Sequence, residues 1–220
     1  MTSHNSSASS SVEGNRLCVL GVDPAAAGAT GYGVIEFLGS SSRMLRFGAL
    51  KFHARTAFGL RLRDIHLMIC ELLAEFSPHA VAVESVFTAL NMGTALRLAE
   101  VRGVILLAAA QASIPAHSYS PREVKCSVSG FGAASKGQMQ QMVKSALGLS
   151  EYPEPPDAAD ALAVALCHAQ VARANERVTF AMKAGAAAVR AASIPTRVAS
   201  ARRVKNALGI QPPVARISGM

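Results

Sequence analysis

Val19-Leu20-Gly21-Val22-Asp23 runs four apolar or small residues into a single carboxylate. With Arg16-Leu17-Cys18 ahead of it, the stretch from Arg16 to Val22 is a compact strand candidate that ends in an acid. A Gly-containing turn, Ala25-Ala26-Ala27-Gly28-Ala29, leads to a second expected strand, Thr30 to Phe37. A third is expected from about Met44 to Phe52, with Gly39 to Ser42 as the turn. Three strands joined so tightly make an antiparallel meander.

Beyond the meander the hydrophobic period changes from two to 3.6. Phe58, Leu62, Ile65, Ile69, Leu72, Leu73 and Phe76 recur at helical spacing, and Ser77-Pro78 ends the run. His79 to Glu84 reads as a short buried strand, Met92 to Ala112 as a long helix stopping before Ile114-Pro115, and Ala116 to Tyr119 as a fifth strand. Strands separated by helices of this length need crossovers and therefore pair in parallel. The expected architecture is α/β, a five-stranded mixed sheet with helices on its faces. Ser135 to Leu147 supplies another helix, and Asp157 to Gln170 the last of the core, after the rigid Pro153-Glu154-Pro155-Pro156 connector.

The chain has 220 residues, enough for one core with disordered ends. Residues 1–15 are Ser-rich, with neither the basic start nor the apolar run of a secretory signal, and read as a disordered tail. Residues 16–170 form the expected domain. Residues 171–220 form a basic Ala/Arg-rich tail, helical near Val171 to Ala192 and otherwise without a core. The apolar stretch Val104 to Ala110 is too short to span a bilayer. Cys18, Cys70, Cys126 and Cys167 lack metal-ligand or disulfide spacing, so each reads as a small buried apolar residue in a reducing cytoplasm. His53, His66, His79, His117 and His168 likewise show no ligand spacing and read as structural or solvated. The net charge is +8, but residues 171–220 hold nine Lys or Arg against one acid, leaving thirteen of each sign in the body. Basicity alone therefore says little about the folded part.

Acids in apolar surroundings are more informative, because an unpaired buried carboxylate is costly and usually implies a cation. Asp23 ends the first strand and Glu84 the fourth, in Ala80-Val81-Ala82-Val83-Glu84. Both fall at the carboxyl ends of strands expected to be central and adjacent, where open α/β sheets form sites. Asp157 and Asp160, three apart in the first turn of a helix, share a face and can point jointly at one site. Each has a plainer reading: Asp157 as a cap, Asp160 as a complement to the helix dipole, a strand-end acid as a turn residue. Their conjunction on three segments favours a hard-cation site for magnesium or manganese, in which two ions activate water for phosphodiester cleavage.

The chain resembles the RuvC-type Holliday junction resolvases of the ribonuclease H-like superfamily over roughly Arg16 to Gln170. The resemblance rests on Gly21-Val22-Asp23-Pro24 with Thr30-Gly31-Tyr32-Gly33-Val34-Ile35, on Val83-Glu84-Ser85-Val86-Phe87, on Ala99-Glu100-Val101-Arg102-Gly103, and on Asp157-Ala158-Ala159-Asp160-Ala161-Leu162-Ala163. It implies a ribonuclease H-like fold and a homodimer making paired, symmetric incisions across four-way junction DNA during recombination and repair. It further implies Asp23, Glu84, Asp157 and Asp160 as catalytic ligands of two Mg2+ ions per site, with Mn2+ as a substitute and water attacking. A branch-migration complex resembling RuvA and RuvB is an expected partner; for the tail three readings stand, contact with that complex, DNA binding through its arginines, or neither. The loop Ala25 to Ala29 departs from the family pattern: it is a residue longer than the usual turn and lacks its usual arginine.

Lys125 and Lys136 flank an expected Gly-containing loop, Ser127 to Ala134, and can neutralise phosphates with help from the helix amino end. Both match DNA-binding positions in the family, and Arg122 is a further candidate. Phe87, expected in a loop after Glu84, is either a wedge beside unstacked bases or a core residue, and the resemblance favours the wedge. Asn91 is a candidate for a backbone or base contact. Leu96, Val101, Val104, Ile105 and Ala108 give the helix from Met92 more apolar surface than one face needs, which a two-fold interface would bury. Tyr32 and Gly33 are expected to shape the hairpin. The rival readings are a nuclease for RNA–DNA hybrids or flaps, a catalytically silent DNA-binding scaffold, and an actin-like nucleotide-binding protein.

Overall fold

The computed structural model describes residues 16–39, 41–85 and 91–192. Five strands, β1 (Arg16–Asp23), β2 (Thr30–Leu38), β3 (Ser41–Leu50), β4 (Ala80–Glu84) and β5 (Ala116–Tyr119), form one sheet in the order β3-β2-β1-β4-β5. β1 pairs antiparallel with β2 and parallel with β4, and β5 joins β4 in parallel. The sheet is therefore mixed, as expected, with β1 at its centre. β3 starts three residues earlier than Met44 and ends at Leu50. Ser41 and Ser42, expected in the turn, pair with Leu38 and Phe37.

The pleat sends alternate residues to two layers. Cys18, Leu20, Val22, Val34, Val81 and Val83 meet α1 (Phe58–Phe76) and α2 (Met92–Gln111) through Ile65, Ile69, Val101 and Ile105. Val19, Ile35, Ala82 and Tyr119 face the other way, onto α3 (Pro121–Ser129), α4 (Lys136–Ala146) and α5 (Pro156–Ala192). Each large side chain fully buried here, such as Leu20, Ile69 or Leu162, contributes about 1.5–3 kcal/mol.

α3 was not expected: Ser127, assigned to a loop, lies inside it. The local chemistry explains the helix. Ser120 accepts from the Glu123 amide while the Glu123 carboxylate accepts from the Ser120 amide, Pro121 opens the first turn, and Gly130 closes it at φ 74. Ser135 and Gln138 repeat the capping box for α4. α5 runs to Ala192 instead of ending at Gln170.

Compact packing divides into two units, the first ending at Ala174 and the second beginning at Asn175. In the second, the described residues are helical and Thr179 donates to the Asn175 carbonyl. Of the cysteines, Cys18 and Cys167 are buried as expected, but Cys70 is half-buried and Cys126 exposed. His79 Nδ1 accepts from the Cys18 amide at 3.0 Å, tying β1 to the start of β4. No helix among the described residues is long and apolar enough to cross a membrane.

Candidate active site

Asp23, Thr30, Leu50, Glu84 and Tyr119 all stand at one end of the sheet, because β1 and β4 finish where β2 begins and β3 finishes. Asp23 and Glu84 close adjacent parallel strands, in phase with Val19 and Ala82 and therefore on the α5 face. α5 reaches them because β1 and β2 present glycines where its first turns cross. Asp23 pairs with Gly31, and a Cβ at Gly31 would stand 2.0 Å from the Asp157 carbonyl oxygen. A Cβ at Gly21 would lie 2.2 Å from the Ala161 carbonyl oxygen, and one at Gly33 2.6 Å from Leu162 Cδ2. Gly33 thus makes room for α5 as well as sitting in the hairpin. This close approach carries the first turn of α5, with Asp157 and Asp160, to the end of β1.

The electrostatics show that these acids share one field. Burial pushes the Asp23 carboxyl far above its ordinary range, and the charge of Glu84, a hydrogen bond with it, and the charges of Asp160 and Asp157 push the same way. Glu84 is raised chiefly by burial; the charge of Asp160 adds to this, while Lys125 opposes it. Glu36, at the other end of β2, makes the contrast. It is buried, but Arg16 at 2.6 Å and Arg43 at 2.9 Å hold its carboxyl below the usual range. A buried acid neutralised by arginine is structural. The half-buried Asp23–Glu84 pair has no such partner among the described residues and is a site candidate.

Among the described residues, no three acids, histidines or cysteines already stand as a coordination shell. Asp23 and Glu84 lie close enough for the charge of Glu84 to raise Asp23, and Asp160 accepts from Lys136 Nζ at 3.0 Å. A cavity of about 220 Å³ opens beside them, lined by Glu84, Lys125, Lys136, Met139 and Asp160 among others.

Lys125 and Lys136 both line this cavity, on α3 and at the start of α4. Arg122 is exposed on the first turn of α3. Asn91 caps α2, its side chain accepting from the Thr94 amide at 2.9 Å. Phe87 lies outside the described residues. One contributor was quoted in the sequence without a role: Arg102 of α2 donates to the Glu84 carbonyl oxygen and, at 3.0 Å, to Ser118 Oγ. It clamps the end of β4 against β5 and so positions Glu84. A lone helical arginine carries no sequence signal for that contact.

The fold and this carboxylate-bearing sheet end define a ribonuclease H-like nuclease class. The family described as "Crossover junction endodeoxyribonuclease RuvC" matches residues 19–168. A crossover junction endodeoxyribonuclease RuvC of Natranaerobius thermophilus is 43% identical over 162 residues, covering 74% of this chain and 100% of that one. The Thermus thermophilus RuvC structure superposes with a TM-score of 0.66 at 36% identity, covering 72% of this chain and 97% of that one. The same organism's RuvC in complex with Holliday junction substrate gives 0.65 at 34%, covering 71% and 96%. The chain belongs to the RuvC crossover junction endodeoxyribonuclease family.

Proposed function

We propose that this protein is a structure-selective endonuclease that resolves Holliday junctions by paired, symmetric phosphodiester hydrolysis in DNA recombination and repair, with Asp23, Glu84, Asp157 and Asp160 as its catalytic metal ligands. The observation that supports the assignment of the site is a half-buried carboxylate pair that, among the described residues, has no salt-bridge partner, at the ends of the two central parallel strands, with two more carboxylates beside it. Four hard oxygen donors without sulfur or imidazole suit Mg2+, with Mn2+ as a substitute. Two such ions, when bound, supply an activated water and stabilise the leaving oxygen.

The protein's own groups do the rest. Asp23 and Glu84 must be ionised to become ligands, so metal affinity rises with pH and binding expels protons. Arg102 fixes the Glu84 backbone. Lys136, bonded to Asp160, and Lys125, beside Glu84, sit where they can exchange a carboxylate for a phosphate oxygen. Arg122, Asn91 and Phe87 remain proposed DNA contacts.

Symmetric cutting needs two sites, and α2 offers the surface for a homodimer. Its Val101 and Ile105 are buried in the core, while Met92, Leu96 and Leu107 stand exposed along another side, 75%, 59% and 53% accessible. We assign residues 16–170 to the nuclease domain and residues 1–15 and 171–220 to tails, the basic one available to DNA or to a RuvA- and RuvB-like motor. The absence of any disulfide framework suits the cytoplasm.

The test is a synthetic four-way junction with magnesium, alongside linear duplex, flap and RNA–DNA hybrid substrates. Symmetric nicks in the junction are expected from the wild type. Asp23→Asn and Glu84→Gln are expected to bind it but cut at least about a thousandfold more slowly, the scale of losing preorganised electrostatic stabilisation. Equal cutting by all three proteins would overturn the site.

A further inference from the structure

The β3–α1 connection, residues 51–57, stands at the same sheet end as the carboxylates, because Leu50 pairs with Thr30 and Gly31 with Asp23. It follows the edge strand β3, at the other side of the sheet order from β5 and the α3 that succeeds it. From Arg43 to Arg63 the sequence has six Lys or Arg and no acid, and the structure sorts them by position. Arg43 pairs with Glu36, Arg46 with Glu75, and Arg63 with Asp64. Arg61 is spent on the loop itself. Its guanidinium donates to the Thr56, His53 and Ala54 carbonyl oxygens at 3.1–3.4 Å and lies 5.6 Å over the Phe52 ring.

Lys51 and Arg55 are exposed, and neither has an acid partner among the described residues. Exposed His53 sits between them, and its Nδ1 accepts from the Arg55 amide at 3.2 Å. The unpaired cations are thus the ones at the site end, on a loop that Arg61 pins. Beside it, Arg97 of α2 lies 5.5 Å over Phe58, the first residue of α1. The neighbouring β1–β2 turn, Pro24 to Ala29, carries no charge. On this flank the positive surface therefore comes from the 51–55 loop, with exposed Arg97 beside it.

We infer that Lys51 and Arg55 bind the phosphate backbone of a DNA duplex arm on the side of the carboxylates opposite Lys125 and Lys136, with Arg61 as the residue that positions the loop. The inference deepens the nuclease reading and rests on it. Cations held unpaired on an ordered surface bind a polyanion with little reorganisation, and release counterions when they do.

The experiment measures binding of a fluorescent four-way junction, and of a linear duplex, against salt concentration in the full-length Asp23→Asn protein. Each lost phosphate contact flattens the log–log salt slope by about 0.9. Lys51→Ala/Arg55→Ala is expected to flatten it by about 1.8 and to weaken binding tenfold or more at low salt. Arg46→Ala/Lys144→Ala, which removes the same charge elsewhere, is expected to leave the slope unchanged. Arg61→Ala is expected to weaken binding while trypsin cuts faster after Lys51 and Arg55. Slopes that stay at the parental value, or fall equally in both double variants, overturn the inference. If the parent binds junction no better than duplex, the junction reading fails instead, and the slope difference on duplex decides the loop separately.

Discussion

The two faces of this sheet are covered in different ways. Against α1 and α2, the strands present Leu20, Val22, Val81 and Val83 to Ile65, Ile69, Val101 and Ile105, so side chains fill the space between backbones. Against α5, the same central strands present Gly21, Gly31 and Gly33, and the helix backbone itself comes to the sheet. Side-chain packing adjusts to small changes of volume, because rotamers can shift. A backbone held against a backbone cannot adjust in that way. The face that carries Asp157 and Asp160 to Asp23 is the rigid one, and a site that must hold four charges in register needs that rigidity.

The sharpest way to break this comparison is Gly31→Ala. The new methyl would enter the Asp157 carbonyl, and a loss of about 3 kcal/mol or more is expected, at the top of the usual overpacking range or above it. Junction cutting should be lost even where the protein remains folded. Thermal melts and single-turnover cleavage check both, and a Gly31→Ala protein that cuts normally would end the rigid-face argument. Arg102→Ala is expected to slow cutting by about tenfold to a hundredfold with little change in KM. Misplacement of Glu84 acts on the chemical step, and Arg102→Lys should rescue it only partly, since lysine cannot reproduce the fork. On the opposite face, Ile69→Val should cost about 0.5–1.5 kcal/mol in urea denaturation and leave cutting unchanged.

A separate expected effect concerns pH. His168 of α5 is buried against Tyr119, whose hydroxyl lies 2.7 Å from Nδ1. Burial, with the charge of His117 adding to it, pushes His168 down from 6.5 to about 4. The unfolded chain takes up a proton on falling below about 6.5, while the folded chain refuses it until about 4. Stability from this group is therefore complete above 6.5 and is lost as the pH falls toward 4. Urea midpoints across that window should decline in the wild type and decline less steeply in His168→Gln.

Much of the fold is legible along the chain because alternation and 3.6-residue periodicity are local properties. The strand ending at Asp23, the helix from Phe58 to Phe76 and the strand ending at Glu84 follow from them directly. α3 escaped because it is short and mostly polar, although Ser120-Pro121-Arg122-Glu123 spells out its cap. The edge strand β3 was placed late because Ser41 and Ser42, polar and exposed or half-buried, look like turn residues; pairing with β2 alone makes them strand.

By itself the sequence determined which residues carry charge into apolar surroundings, the order of the strands and of every helix but α3, and the family to which they belong. Only the tertiary structure distinguished Glu36 from Asp23: both are acids amid apolar strands, but two arginines reach the first and, among the described residues, none reaches the second. It alone showed that Gly21 and Gly31 admit a helix backbone and Gly33 the Leu162 side chain, that Arg102 holds Glu84, and that Lys51 and Arg55 have no acid partner among the described residues. Charge is a property of a residue, whereas neutralisation and close approach belong to pairs of atoms that the chain brings together only when folded.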